Sequence, residues 1–378
     1  MLSKKIVSNE NVKPGRIDSI DALRGIVLLG IFLVHVNGGF GYLFDIDTSS
    51  FTLFEKGLRG GIYFLLSNRC APIFSILFGV SFYLILRNPS YSSAKFLWRC
   101  ILLIGIGLFN KLFYTYDALM WYGLWGIFLL PMRNTPPRNI LVVFILTFIV
   151  SLLLSNLNVG SLLFGPESMV QRYDSTSDLS DVLTYPLLTS VVDYLRIVCD
   201  SGIVGTYAYF IFGYWIARSG VIESLERYCT FRNVLLIGIP YIVLLAVWAM
   251  TLILDIESSA LSMVLRLKSI IGALFYAVIF LWLYYKYPKF FKPLCSYGKC
   301  GLTNYSMQSI VGVVLMATIF NPKGAGFLAI VIIFVMFYVF QVVISVLWLK
   351  YFTNGPMEYI WRSLTNLKFK SPLVIKNR

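Results

Sequence analysis

The sequence predicts an all-α, polytopic transmembrane helix bundle of about ten spans with both termini cytoplasmic. Composition, run length and the placing of charge predict it. Of 378 residues, 58% are hydrophobic and 13% charged, with a mean hydropathy of +0.77. Soluble globular chains carry about 25% charge. The apolar residues come in long runs, such as "ILVVFILTFIVSLLL" and "FLAIVIIFVMFYVFQVVISVLWL". A helix needs about 20 mostly apolar residues to span a bilayer, whereas barrel strands would alternate over roughly ten. Basic residues fall in every second break between runs, the asymmetry that marks cytoplasmic loops.

In chain order, spans are expected near 24–43, 61–86, 96–113, 117–132, 139–157, 201–217, 233–254, 268–286, 301–320 and 325–350. A cytoplasmic segment, 1–20, carries Lys4, Lys5, Lys13 and Arg16 ahead of the first span. That span reads as a retained helix: Arg24 heads it, no small-x-small cleavage site follows, and many spans lie behind it. The later cytoplasmic breaks hold Arg87, Lys95 and Arg99, then Arg133 and Arg138, then Arg218, Arg227 and Arg232, then Lys286, Lys289, Lys292 and Lys299. The one long connection, 158–200, is acidic and polar, and is expected outside the cytoplasm as a linker or lid. Residues 21–352 form one bundle. Residues 353–378 form an interfacial helix, "GPMEYIWRSLT", opened by Pro356 and anchored by Tyr359, Trp361 and Arg362, and a basic tail.

The net charge of +14 belongs to topology and anionic membrane lipid, because it is spread through short breaks. A nucleic-acid protein would gather it on a soluble face, so no nucleic-acid partner is expected. Six cysteines are scattered, and the only histidine is remote from the Cys295/Cys300 pair. They read as small buried apolar residues, with no metal site expected.

Ionisable groups inside spans are costly and face a bundle interior or water. Asp21 and Arg24, three apart, share one helix face. Either they cap the helix and snorkel to headgroups, or Arg24 holds a phosphate at the cytoplasmic mouth. His35, the sole histidine, lies about 16 Å further along the helix, near mid-membrane. It is either satisfied by a carbonyl or acts as a proton acceptor. Arg69 interrupts "YFLLSNRCAPIFSILFG". Asp117 opens "DALMWYGLWGIFLLPM", as a helix cap or as a carboxylate orienting His35. Asn304 and Gln308 share a face of span nine, to bond between helices or to line a cavity.

The stretches "IDALRGIVLLGIFLVHV", "FSILFGVSFYL", "YDALMWYGLWGIFLLPMR", "GKCGLTNYSMQSIVG" and "NGPMEYIWRSLT" resemble, in order and spacing, the YeiB-like membrane proteins (domain-of-unknown-function family 418) over about 20–365. The first helix is also similar to the wider transmembrane acyltransferase superfamily, which includes acyltransferase-3 and heparan-glucosaminide N-acetyltransferase. Its Asp-x-Leu-Arg-Gly pattern with His eleven residues after the Arg is matched by Asp21, Leu23, Arg24, Gly25 and His35. This chain departs from the YeiB-like pattern, which often has Asn at position 35 and His near position 110. Here His35 and Asn110 are exchanged, and the Arg expected just before "FSILFG" is displaced to Arg69.

The resemblance implies a multi-pass protein of a bacterial plasma membrane. It implies an acyl group moved from cytoplasmic acyl-CoA, the donor, to a hydroxyl or amine of a cell-envelope acceptor. His35 and Asp117 are the catalytic candidates. Arg24, Arg69, Asn110, Asn304 and Gln308 are the substrate-binding candidates. A transporter or lipid exporter is the alternative that a polar-cored bundle also suits, and a non-catalytic partner in envelope export is a third.

Overall fold

The computed structural model describes residues 17–38, 49, 51–89, 91–111, 113–114, 117–154, 201–254, 259–320 and 326–369. The segment 1–16, the 158–200 connection and the tail from 370 lie outside them, as does Cys199. Among the described residues the chain is helical, with no strand. The elements are α1 (Asp18–Asn37), α2 (Leu53–Leu66), α3 (Cys70–Leu86), α4 (Ser93–Lys111), α5 (Leu119–Leu129), α6 (Pro137–Leu154) and α7 (Ser201–Arg218). They continue with α8 (Leu225–Tyr228), α9 (Phe231–Ile253), α10 (Ser259–Lys286), α11 (Pro288–Lys299), α12 (Gly301–Leu315), α13 (Phe327–Tyr351) and α14 (Pro356–Asn366). A 3-10 turn, Leu130–Asn134, extends α5, and a π turn, Met316–Phe320, extends α12.

Within the described residues each expected span overlaps a helix, with shifted bounds. Among the described residues, seven helical stretches are long and apolar enough to cross a membrane: α1, α2–α3 together, α4, α6, α9, α10 and α13. The expected spans at 117–132, 201–217 and 301–320 fall on the shorter or more polar α5, α7 and α12. A reporter fused after residue 180 is expected to read extracytoplasmic, and one at residue 378 cytoplasmic, if ten spans and inside termini hold. A cytoplasmic signal at 180 would overturn that topology.

Helix α1 is central. It packs on α2, α3, α10, α11, α12 and α13 and is the most buried of the spanning stretches. It begins at Asp18 rather than 24, with Asp18 and Asp21 in a first turn that favours negative charge. Close backbone approach sets its pairing with α11: a Cβ on Gly298 would run into the Asp21 carbonyl. The crossing of α3 and α7 works the same way, with Gly79 facing the Phe210 carbonyl and Gly213 the Ile76 carbonyl. Small residues at such crossings let membrane helices gain close van der Waals packing.

Two glutamates join distant helix ends. The run "TLFE" is a capping box: the Thr52 hydroxyl accepts from Glu55 N at 3.3 Å, and the Glu55 carboxylate from Thr52 N at 3.0 Å. Glu55 also accepts from Leu328 N at 3.1 Å, which caps α13. The second span therefore starts at Leu53, not 61, and breaks at Ser67–Arg69, where Asn68 takes φ 59°. Glu358 of α14 accepts from Leu302 N at 2.6 Å, Thr303 N at 3.2 Å and the Thr303 hydroxyl at 2.6 Å, capping α12. The C-terminal helix is thus fastened to the bundle as well as amphipathic.

Candidate active site

A cavity of about 370 Å³ opens at the end of the bundle that carries the α1 N-terminus. Its rim is basic: Arg24, Arg87, Arg99, Lys299 and Arg362, against Asp21 and Glu358. Its deeper wall is apolar and aromatic, with Phe74, Phe78, Phe82, Leu103 and Leu119, and it reaches Tyr305. Arg24 is held in place rather than free to snorkel. It donates to Asp21 at 2.6 Å, to the Ser81 hydroxyl at 3.2 Å and to the Gly298 carbonyl at 3.4 Å. Asp21 therefore bonds Arg24, and the N-cap residue of α1, Ile17, offers no side-chain cap. Arg87 pairs with Glu223 at 2.8 Å and Lys299 with Asp18 at 2.9 Å. The Arg99 guanidinium lies 3.6 Å from the centre of the Trp361 ring, whose indole donates to the Arg99 carbonyl at 3.0 Å. Burial raises the Glu358 carboxyl above its usual range, while its bonds to Thr303 and Leu302 pull it down.

Beyond Tyr305 lies a buried polar cluster. Asn110, fully buried, donates to Asp117 at 2.5 Å and to the Ser309 hydroxyl at 3.2 Å. Asp117 accepts from Leu119 N at 2.8 Å, which caps α5. It also lies beside Tyr305 and faces buried Lys111. Ser75 and Tyr122 meet nearby, their hydroxyls 3.3 Å apart. His35 lies against this cluster, its ring 4.4 Å from that of Tyr114 and 6.4 Å from that of Tyr305. Tyr305 thus touches the cavity, Asp117 and the surroundings of His35.

The sequence candidates divide into three places. Arg24 sits in the cavity rim. His35, Asn110 and Asp117 gather around Tyr305 and Tyr114. Asn304 and Gln308 belong to an interhelical network instead of the cavity lining. Asn304 donates to the Tyr297 carbonyl at 3.1 Å and the Ser345 hydroxyl at 3.0 Å. Gln308 donates to the Tyr297 hydroxyl at 2.9 Å, which donates on to Gln341 at 3.2 Å. Arg69 stands apart, on α3, with Tyr241 of α9. Sequence reasoning missed Tyr305, Arg99, Glu358 and Arg362 as site residues. Glu358 and Arg362, four apart on a short amphipathic helix, were the available signal.

Comparison with known proteins follows the same division of the chain. Residues 16–191 match the family model described as heparan-alpha-glucosaminide N-acetyltransferase, catalytic. Residues 216–368 match the protein family of unknown function DUF418. An uncharacterized 39.9 kDa protein in the amylase 3′ region of Bacillus acidopullulyticus is 26% identical over 370 residues, which cover 96% of each chain. The uncharacterized protein YxaH of Bacillus subtilis is 24% identical, covering 96% of this chain and 97% of its own. The uncharacterized protein YeiB of Escherichia coli is 24% identical, covering 95% and 98%. The chain is similar to YeiB and YxaH over nearly its whole length. The two matched segments meet at the cavity. Arg24, Arg87 and Arg99 come from the first, and Lys299, Glu358, Trp361 and Arg362 from the second.

Proposed function

We propose that the protein is a membrane acyltransferase that takes its acyl group from cytoplasmic acyl-CoA and gives it to a hydroxyl or amine of a cell-envelope molecule. The observation that carries this reading is the cavity: a basic rim for phosphates, then an apolar wall that ends at Tyr305 beside His35 and Asp117. The similarity of residues 16–191 to an N-acetyltransferase catalytic region supports it. Pockets of 300–1,000 Å³ with few convergent polar groups are the usual form of small-molecule sites.

In this reading the nucleotide phosphates stay at Arg24, Arg99, Lys299 and Arg362, and the thioester arm descends past Phe78 and Leu119. His35 takes the proton of the acceptor O–H or N–H as that atom attacks the thioester carbonyl. The carbon–sulfur bond breaks, and coenzyme A leaves as its thiol after taking up a proton. Tyr305, beside Asp117, lines the cavity, and its ring is 6.4 Å from that of His35. A carbonyl oxygen that gains charge in the transition state is stabilised by such preorganised donors.

Incubating the purified protein with labelled acetyl-CoA and envelope extract is expected to yield a labelled product and free coenzyme A. No product and no thiol release would overturn the reading, and pH-dependent flux without thiol release would favour an exporter. Arg24→Ala is expected to weaken acyl-CoA binding by about tenfold or more, the scale of a lost charge-assisted hydrogen bond. Arg24→Lys should restore part of it, because an ammonium lacks the bidentate fork. Equal binding by all three forms would leave Arg24 as a strut between Asp21 and Ser81.

A further inference from the structure

Two cations are buried together on the other side of the bundle from the cavity. Arg69 is 1% exposed and Lys268 2%. Their chain neighbours meet, the Ser269 hydroxyl donating to the Asn68 carbonyl. Among the described residues no carboxylate pairs with either. Arg69 donates to the Tyr241 hydroxyl at 3.2 Å and to the Ser67 carbonyl, while its buried Nη2 has no partner. Lys268 has only an aromatic face, its Nζ lying 3.1 Å from the centre of the Trp248 ring. Arg69 is also the residue that opens α3, so the unpaired N–H groups and positive dipole end of a 17-residue helix point the same way. Uncompensated buried charge is expensive, and here two like charges and a helix N-terminus converge.

An apolar groove of about 340 Å³ ends beside them. Cys70 and Leu66 form that end, together with Tyr276, whose hydroxyl is 3.5 Å from that of Tyr241. From there the groove runs between α1, α3 and α10 along Leu33, Gly30, Ile26 and Leu23. Ten residues of α1 make about 15 Å, half of a hydrocarbon core about 30 Å thick. Arg69 and Lys268 each lie 18 residues from the basic residue that closes their helix on the cavity side, Arg87 and Lys286. That places them about 27 Å along the axis, close to the far boundary of the hydrocarbon.

We infer that this site holds an anionic phospholipid of the leaflet opposite the cavity, its phosphate between Arg69 and Lys268 and one acyl chain in the groove lined by Leu33, Cys70 and Tyr276. The phosphate takes the place of the Trp248 ring as the partner of Lys268 and satisfies Nη2 of Arg69. A free phosphate would leave the groove empty, and an uncharged lipid would leave both cations unpaired. The inference is independent of acyl transfer.

The test uses delipidated full-length protein in detergent with phosphatidylglycerol, diacylglycerol (the same chains without a phosphate) or inorganic phosphate added, read by native mass spectrometry and by thermal shift. Phosphatidylglycerol is expected to bind about tenfold or more tightly than diacylglycerol, the scale of two basic side chains acting on one lipid phosphate. The Arg69→Gln, Lys268→Gln double variant should fold, since it removes two buried charges, and should bind both lipids equally. Ile279→Trp, which fills the groove and leaves the cations, should weaken both. A wild type that binds the two lipids alike would overturn the inference. So would a double variant that keeps the preference, or inorganic phosphate that competes while Ile279→Trp has no effect.

Discussion

Replacing His35 with glutamine is expected to leave the protein folded and inserted while acyl transfer falls by about a hundredfold to ten-thousandfold, the usual contribution of general-base catalysis. Glutamine fills most of the imidazole's volume beside Tyr114 and keeps hydrogen bonding, but it takes no proton near neutral pH. Alanine should lose the same activity and also some packing against the Tyr114 ring, 4.4 Å away. A histidine held only for packing would give the reverse: glutamine near wild type, alanine poorly expressed. Activity and folded yield measured on both variants therefore separate chemistry from structure. Asn110 supplies a further control. Tyr114 N donates to the Asn110 carbonyl at 3.0 Å, so the residue whose ring lies against His35 is fixed to the turn that carries Asn110. The double change His35→Asn with Asn110→His is expected to recover part of what His35→Asn loses. A well-folded double variant with no recovery would separate the two positions.

Gly298→Val is expected to remove most folded protein. The new Cβ meets backbone, the Asp21 carbonyl, and neither α1 nor α11 can yield without parting. Overpacking in a filled core costs about 1–3 kcal/mol, and a collision with backbone belongs at or above the top of that range. The same shift would pull the Gly298 carbonyl away from Arg24 and open the cavity wall. Gly301→Ala is the matched control, because its Cβ would meet a side chain rather than backbone, lying 3.1 Å from Cδ of Arg24. Melting temperature and detergent-extracted yield should fall sharply for Gly298→Val and little for Gly301→Ala. Equal behaviour would show that close approach of α1 and α11 is not what holds that end together.

The helices were legible because lipid imposes continuous apolar runs, and these run through α6, α9 and α13 with almost no polar interruption. Two elements were not. Residues 288–299 carry lysines and prolines, which read as a loop, yet they form α11 and bury Tyr297 and Gly298. Its one-sided apolar face, rather than its mean hydropathy, was the signal. Likewise the helix Leu53–Leu66 contains Glu55, Lys56 and Arg59, which hid its start from a hydropathy reading, although Thr52 and Glu55 stand at capping-box spacing. Within the site, Arg24 and His35 were found because a charge in an apolar run is conspicuous. Which partners they meet depends on helix packing. Nothing local distinguishes Asn110, joined to Asp117 and Ser309, from Asn304, joined to Ser345.

The cap that Glu358 places on α12 has a consequence for biosynthesis. Arg24 and Arg362 share one cavity although more than 300 residues of chain separate them. At about 5–20 residues per second, α1 waits in the bilayer for roughly 20–70 s before the helix that completes the cavity has been made. Within that interval Arg24 has Asp21 beside it from the start, whereas α12, once made, keeps the N–H groups of Leu302 and Thr303 uncapped until Glu358 follows. Any chain released early, or cut before residue 356, lacks both the helix cap and the Arg362 side of the rim. Under the proposed function, donor binding therefore waits for the completed rim, and a copy cut before residue 356 does not take up the cytoplasmic acyl donor.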